Sequence, residues 1–460
     1  MNRLDWKERV GKSSFLRWVY ARAEGLSSRA CARAGHPFEA TRRLLHGWKH
    51  LGEDGLGRQR AARALALIDG ATRQNGALLP VRDNALRLDF LRSHTARDLR
   101  AKFGAFPLDH RVRLRYPREE LDPERQGDLM ILKSPDDATR EKGVIHVKYH
   151  EGIEALAAVF DLEALAKRWQ FVLETSNWGA EDGRFLPWIG ADVSAIIMAP
   201  RAQDFAFFER LGTNLVPIRM GSGEWVDPAV FVPKPADEPF LYDVIMVAMW
   251  HPLKRHQTLF DAVAAIRAKG RRLSVGLIGS PAVWTRVTVA SMADKHGIAE
   301  QITFHEKIPH QEVARLVARS RVSVLLSKQE GSNRAVYESF FVGTPAVVYV
   351  DHKGIDLTHV NARTGRLAAD PDLADVLVAV IDGRDRFDPA AYAREEFGYV
   401  NASRKVNEAL KRLALAEDRP WTRDIVGKRN APNLCYIEPG TYARFAKDYE
   451  GLAAALLPLP

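Results

Sequence analysis

At 460 residues, 46% of them apolar and 27% charged, the chain exceeds what one hydrophobic core supports and has the composition of soluble domains. Its two cysteines, Cys31 and Cys435, give neither a disulfide framework nor a zinc spacing, so a reducing compartment and no metal site are expected. The net charge of +9 is uneven: residues 1–120 hold 25 Lys and Arg against 13 Asp and Glu, whereas the rest hold 42 against 45.

Residues 1–75 are predicted helical, because Phe15, Val19, Leu26, Leu44, Leu45 and Trp48 recur at helical spacing among arginines. Residues 76–125 read as irregular, with one strand over Leu86–Leu91. The basic quarter reads either as a solvated Arg-rich helical face or as a contact for an anionic membrane surface. Nucleic acid is not an expected partner, since no aromatic-and-basic motif accompanies the charge. With no apolar run near the roughly 18 residues of a membrane span and no signal-peptide core, the expected location is cytoplasmic, with peripheral contact at the inner face of the membrane left open.

From Gly127 the texture changes to short apolar runs separated by helical stretches. Asp128–Lys133, Val144–Tyr149, Phe171–Thr175, Val193–Met198 and Asn214–Met220 are predicted strands, with helices over Ile153–Arg168 and near Gln203–Leu211. A linker with three prolines, Phe231–Phe240, follows. Strands then recur at Asp243–Met249, Leu273–Gly279, Gln301–Phe304, Val322–Ser327 and Pro345–Val350, with helices at Gln257–Ala268, Val283–His296, Gln311–Ser320 and Arg334–Phe341. The expected fold is α/β: two Rossmann-like, doubly wound domains facing a cleft, behind a basic, mostly helical N-terminal region. The expected boundaries are 1–125 for that region, partly packed on an acceptor domain at 126–235. A nucleotide-sugar domain is expected at 236–400 and a helical segment at 401–460.

The most informative stretch is Ser327–Val350, SKQEGSNRAVYESFFVGTPAVVYV. It leaves a strand, turns at Gly331 and enters a helix with Ser332 or Asn333 as N-cap. The free N–H groups of that turn suit a diphosphate or sugar hydroxyls. Glu330 and Glu338 bracket the turn, and each carboxylate can accept two hydrogen bonds from a vicinal diol. The plainer reading of Glu338 is a pair with Arg334 one helical turn back.

These residues resemble glycosyltransferase family 4, whose hallmark is Glu, seven residues, Glu, followed by a Gly-x-Pro. Here the chain has Glu330-Gly331, Glu338-Ser339 and Gly343-Thr344-Pro345. The resemblance implies a GT-B fold and a donor site in the C-terminal half. Glu338 would hold ribose hydroxyls, Glu330 the donor sugar, and the Gly331, Ser332 and Asn333 amides the sugar and diphosphate. Arg334 would be a local addition. A second family element ends the domain's first strand, where VAMWHPLKRHQTL puts Lys254 in the lysine position facing the leaving diphosphate. The family's arginine is replaced by Met249 or Trp250, and Arg255 or His251 could restore the charge. A third echo, Val226-Asp227, Phe231 and Pro233, is structural.

On the acceptor side, the loops His150-Glu151-Gly152 and Thr175-Ser176-Asn177-Trp178-Gly179 should open on the cleft. Glu174, Asn177 and His150 could orient a hydroxyl there, and Trp178 could stack on a sugar. The expected enzyme is a hexosyltransferase of polysaccharide biosynthesis. It would move sugar from a nucleotide-diphosphate sugar to a glycan or lipid-linked acceptor, by resemblance with retention of configuration. No cofactor or metal is expected; the Asp370-Pro-Asp372 triplet reads as a helix cap. Three alternatives stand beside it: a two-carboxylate hydrolase, a sugar-nucleotide epimerase or phosphorylase of the same architecture, and a non-catalytic relic that kept the fold.

Overall fold

The computed structural model describes residues 14–51, 55–103, 129–175, 179–331, 333–432 and 434–458. The chain divides into two units: Met1–Arg219 with Val406–Val426 and Tyr436–Pro460, and Met220–Lys405 with Gly427–Cys435.

Among the described residues the first unit begins with five helices: α1 (Ser14–Arg33), α2 (Pro37–Leu51), α3 (Gly55–Thr72), α4 (Ala85–Arg92) and α5 (His94–Phe103). The expected spacing in α2 is real, since Leu44, Leu45 and Trp48 are all buried. The strand expected over Leu86–Leu91 is instead α4. Asn84 caps it by accepting from the Arg87 N–H at 2.9 Å, and Leu86 and Phe90, one helical turn apart, are both fully buried. Between α3 and α4, Asn75 (φ 52°) and Gly76 (φ 79°) turn a short hairpin of Arg73–Gln74 with Ala77–Leu78.

Its sheet consists of β1 (Leu129–Lys133), β2 (Gly143–Lys148), β3 (Trp169–Glu174), β4 (Ala195–Met198) and β5 (Leu215–Ile218), ordered 1-2-3-4-5. β1 is antiparallel to β2 and the other pairs are parallel. Every residue of β2 and β3 is buried, as strands covered on both faces require. The expected Ile153–Arg168 helix is two, α6 (Tyr149–Val159) and α7 (Leu162–Arg168). They part at Asp161, whose carboxylate caps α7. α8 (Ala202–Leu211) joins β4 to β5. The Tyr449 hydroxyl accepts from the Ile131 N–H and the Tyr436 hydroxyl donates to the Ile131 carbonyl, which satisfies the open edge of β1.

The second unit is a six-stranded, all-parallel sheet: β6 (Tyr242–Val247), β7 (Val275–Gly279), β8 (Ile302–Glu306), β9 (Ser320–Leu325), β10 (Ala346–Tyr349) and β11 (Gly365–Ala368). Its order is 8-7-6-9-10-11, so chain direction across the sheet reverses between β6 and β9. Side chains alternate across the strands. Val244 and Met246 enter a core with α9 (His256–Ala268), α10 (Arg286–Lys295) and α13 (Leu373–Asp382). Ile245 enters another with α11 (His310–Ala318), α12 (Ala335–Phe341) and α14 (Pro389–Glu396). Helices therefore cover both faces. Helix α15 (Gly398–Ala416) and helix α16 (Thr441–Gly451) complete the chain.

Candidate functional site

In an open parallel sheet the crevice for ligands lies beyond the strand C-termini, where neighbouring strands send their crossovers to opposite faces. In the second unit that place is between β6 and β9, whose pairing runs from Tyr242 with Ser320 to Ile245 with Ser323. The segments leaving these strands, 248–255 and 326–334, carry the donor residues expected from sequence.

The first segment turns through a 3-10 helix, Pro252–Lys254, capped by the His251 Nδ1, which accepts from the Leu253 N–H at 3.1 Å. Arg255 then takes a left-handed backbone (φ 60°), costly for a residue with a long side chain. Its side chain holds it there: it donates to the Leu326 carbonyl at 2.8 Å, pairs with Asp370, and lies 4.9 Å from the Tyr349 ring.

The second segment brings Glu330 onto Lys254, with Nζ to Oε1 at 2.6 Å. Ser327 Oγ donates to the same oxygen at 2.6 Å, and Asn333 Nδ2 donates to Oε2 at 2.8 Å. Burial alone would raise the Glu330 carboxyl, but the Lys254 ammonium and these hydrogen bonds outweigh it and hold it below the usual carboxylate range. Asn333 also caps α12, its Oδ1 accepting from the Val336 N–H at 3.1 Å. Gly354 packs under this turn: a Cβ there would come within 2.6 Å of the Glu330 carbonyl, at a φ of 141°.

Glu338, in the first turn of α12, is 8% exposed. No hydrogen bond or ion pair reaches its carboxylate among the described residues, and burial pushes its pKa up, against the charge of Arg334. The Arg334 pair expected as the plainer reading is absent, because that guanidinium donates to the carbonyls of Asn430 and Pro432. Arg334 is thus tied to the 427–435 segment, whose proximity no local pattern in the sequence announces. Gly331 lies in the turn beside Glu330, and Ser332 lies outside the described residues.

The acceptor-side residues come together less well. Glu174 ends β3 entirely inside the first unit, 3.1 Å from His146 Nε2 and 3.6 Å from Lys148 Nζ. The loop expected at His150-Glu151-Gly152 is the first turn of α6, and the buried His150 Nε2 lies 3.0 Å from the Gly179 carbonyl. An apolar helix face begins immediately at Ile153, so the chain enters the helix rather than a loop. Asn177 and Trp178 lie outside the described residues.

Sequence reasoning missed Ser327 and Asp370 as partners of the two donor segments. Asp370 and Asp372 form a 3-10 turn before α13, with Asp372 at its N-cap but no side-chain cap bond, and Asp370 is engaged by Arg255. Among the described residues no group of three or more His, Cys, Asp or Glu could hold a metal ion, and no helix is long and apolar enough to cross a membrane.

Residues 234–393, which include Lys254, Glu330 and Glu338, match the family model described as glycosyl transferases group 1. No curated protein matches the chain in sequence. Among solved structures, the chain is similar to a sucrose-phosphate synthase from Thermosynechococcus elongatus at 17% identity, TM-score 0.46, over 59% of this chain and 74% of that one. It is similar to HepE of Anabaena, solved with UDP, at 16% identity, TM-score 0.45, over 60% and 80%. TarM of S. aureus, solved with UDP among other ligands, matches at 13% identity, TM-score 0.42, over 54% and 51%.

Proposed function

We propose that the chain is a glycosyltransferase, on the match of residues 234–393 to the glycosyl transferases group 1 model, with the following donor, site and course of reaction. The donor is a nucleotide-diphosphate sugar held at the β6–β9 edge of the second unit, as in glycosyltransferase family 4. The observation that carries this reading is the contrast between the two carboxylates. Glu330 is kept ionised by Lys254, Ser327 and Asn333, whereas Glu338 is buried with no hydrogen bond or ion pair to its carboxylate among the described residues. A buried carboxylate left unsatisfied costs free energy that a ligand's hydroxyls would recover. Glu338 receives the ribose diol and Glu330 the hydroxyls of the donor sugar.

Lys254, already on Glu330, and Arg255, fixed by Leu326 and Asp370, supply the positive charge for the leaving diphosphate. Charge fixed before the bond breaks stabilises the transition state without reorganisation, so no metal is needed in this scheme. Transfer proceeds with retention, the diphosphate taking the proton of a glycan or lipid-linked acceptor hydroxyl.

The acceptor is presented at the cytoplasmic face of a membrane. Helix α1 supports this with an exposed stripe of Trp18, Arg22, Leu26, Arg29 and Arg33; Leu26 is 60% exposed. Apolar and cationic side chains on one exposed stripe suit an anionic interface.

A melting screen against UDP-, GDP- and ADP-sugars tests the donor assignment. One of them, at a hundredfold over its dissociation constant, stabilises the fold by about 2.7 kcal/mol. If none shifts the melt, the donor assignment is wrong.

A further inference from the structure

The first unit holds a cavity of about 360 Å³ that no part of the donor chemistry uses. It lies among α1, α2, the first turn of α6 and the 3-10 turns at Gly179–Glu181 and Gly183–Trp188. The last three elements follow β2 and β3, so the cavity opens at the C-terminal edge of this sheet, where parallel sheets hold ligands. Its volume is in the range of small-molecule sites.

The lining has an unusual chemistry. Among the described residues no aliphatic side chain lines it, and Tyr20 is the one phenyl ring. Five carboxylates face four permanent cations, and the guanidiniums are already paired. On α2, Arg43 is 2.9 Å from Glu39 and 3.2 Å from Glu24, and Arg42 is 3.0 Å from Glu39. Opposite, Arg184 meets Glu151 at 3.0 Å and Asp182 at 3.6 Å. Behind it, Arg184 Nε is 3.2 Å from Glu154, a side chain 9% exposed whose Oε1 has no hydrogen-bond partner.

Three ligand classes fit poorly. A lipid chain or nucleobase finds no apolar wall. A phosphate or uronate meets net negative charge and guanidiniums that must first leave a carboxylate. A hydroxyl group differs from both, because it donates and accepts at once. A vicinal diol can add to a carboxylate–guanidinium pair, giving hydrogens to the carboxylate's spare lone pairs and taking one from a free N–H, without breaking the pair. Arrays of such pairs therefore select uncharged polyols.

We propose that this cavity binds an uncharged sugar unit of the acceptor, with Glu39, Arg42, Asp182 and Arg184 as its contacts. The identity of the sugar as acceptor rests on the glycosyltransferase reading above; the binding itself does not. The basic N-terminal helices thus have a second use, as one wall of a saccharide site.

The test is saturation-transfer NMR on the full chain with methyl glycosides of glucose, galactose, mannose and N-acetylglucosamine, alongside glucose 6-phosphate and glucuronate. At least one neutral glycoside should give a signal that the anionic sugars do not. Glu39→Gln, which keeps the shape and removes the charge, should weaken it about tenfold, the effect of losing one charge-assisted hydrogen bond. Asp182→Asn, on the opposite wall, is the second variant should Glu39→Gln melt early, and it should weaken the signal to a similar degree. The signal should survive in Glu338→Ala, so the loss of donor binding and the loss of saccharide binding are read separately. No neutral glycoside bound, equal binding by the variants, or stronger binding of the anionic sugars would each overturn the proposal.

Discussion

The two sheets share an alternation of strand and helix but differ in strand order. In the second unit the order reverses between β6 and β9, so two segments diverge from adjacent strand ends and leave a crevice that residues from both can line. Lys254 and Glu330 meet there at 2.6 Å. In the first unit the parallel strands run in sequence order, and right-handed crossovers then send every connection over the same face. Without a reversal, that unit builds its cavity from added helices, α1 and α2, against the turns that follow the strands. One site follows from topology and the other from decoration of the sheet.

The largest effect that separates the two regions should come from Lys254. Removing one preorganised charge costs on the order of 100- to 1,000-fold in turnover. Lys254→Ala should therefore fall that far in release of nucleoside diphosphate, with a smaller change in donor affinity and none in saccharide binding by the first unit. Lys254→Arg should keep part of the activity, since charge persists while geometry changes. Turnover of Lys254→Ala within about threefold of the parent would remove the loop from the catalytic account.

Next in size is a pH effect that one carboxyl of the second unit contributes. Glu224, wholly buried, pairs with Lys405 at 3.5 Å, yet burial outweighs that charge and pushes its carboxyl up to about 7. A carboxyl whose folded pKa lies above its unfolded value is favourable when protonated. Its contribution to stability is therefore fullest below about 4.5 and declines as pH rises toward 7. Chemical denaturation between these values should show the decline in the parent and a flatter profile in Glu224→Gln.

The sequence showed the second unit far better than the first, for physical reasons. The strands of the second sheet are short apolar runs bounded by turn residues, and the Glu330–Glu338 turn combines cap, glycine and proline in one stretch. What stayed hidden was long-range. Asp370 reaches Arg255 across the sheet edge, and Asn430 and Pro432 take Arg334 from the far end of the chain. β11, Gly365-Arg366-Leu367-Ala368, opens on a glycine and an exposed arginine and so presents no apolar run. In the first unit, Leu86–Leu91 alternates well enough to suggest a strand, but the Asn84 cap and the one-turn spacing of Leu86 and Phe90 decide for a helix. Asn75-Gly76 is a hairpin signal, but the two-residue strands on either side show no alternation to flank it. His150 and Glu174 lie near strand ends, but their polar atoms face Gly179, His146 and Lys148 inside the first unit.

Smaller effects sharpen the contrast further. Arg22→Glu with Arg29→Glu should weaken sedimentation with anionic vesicles by about 1 kcal/mol per arginine at low salt. It should leave donor binding in the second unit untouched. Unchanged sedimentation would make the stripe on α1 a solvated face. Transfer should also continue in EDTA, because Lys254 and Arg255 carry the electrostatic role; strict dependence on added Mg²⁺ or Mn²⁺ would contradict that.

The most direct measurement is calorimetric titration of the stabilising nucleotide-sugar into the parent, Glu338→Ala and Glu338→Asp. Losing a charged hydrogen-bond acceptor should weaken binding about 10- to 100-fold in Glu338→Ala, with Glu338→Asp between the two. The same affinity in Glu338→Ala as in the parent would mean that the buried, unpaired carboxylate of the second unit does not hold the donor.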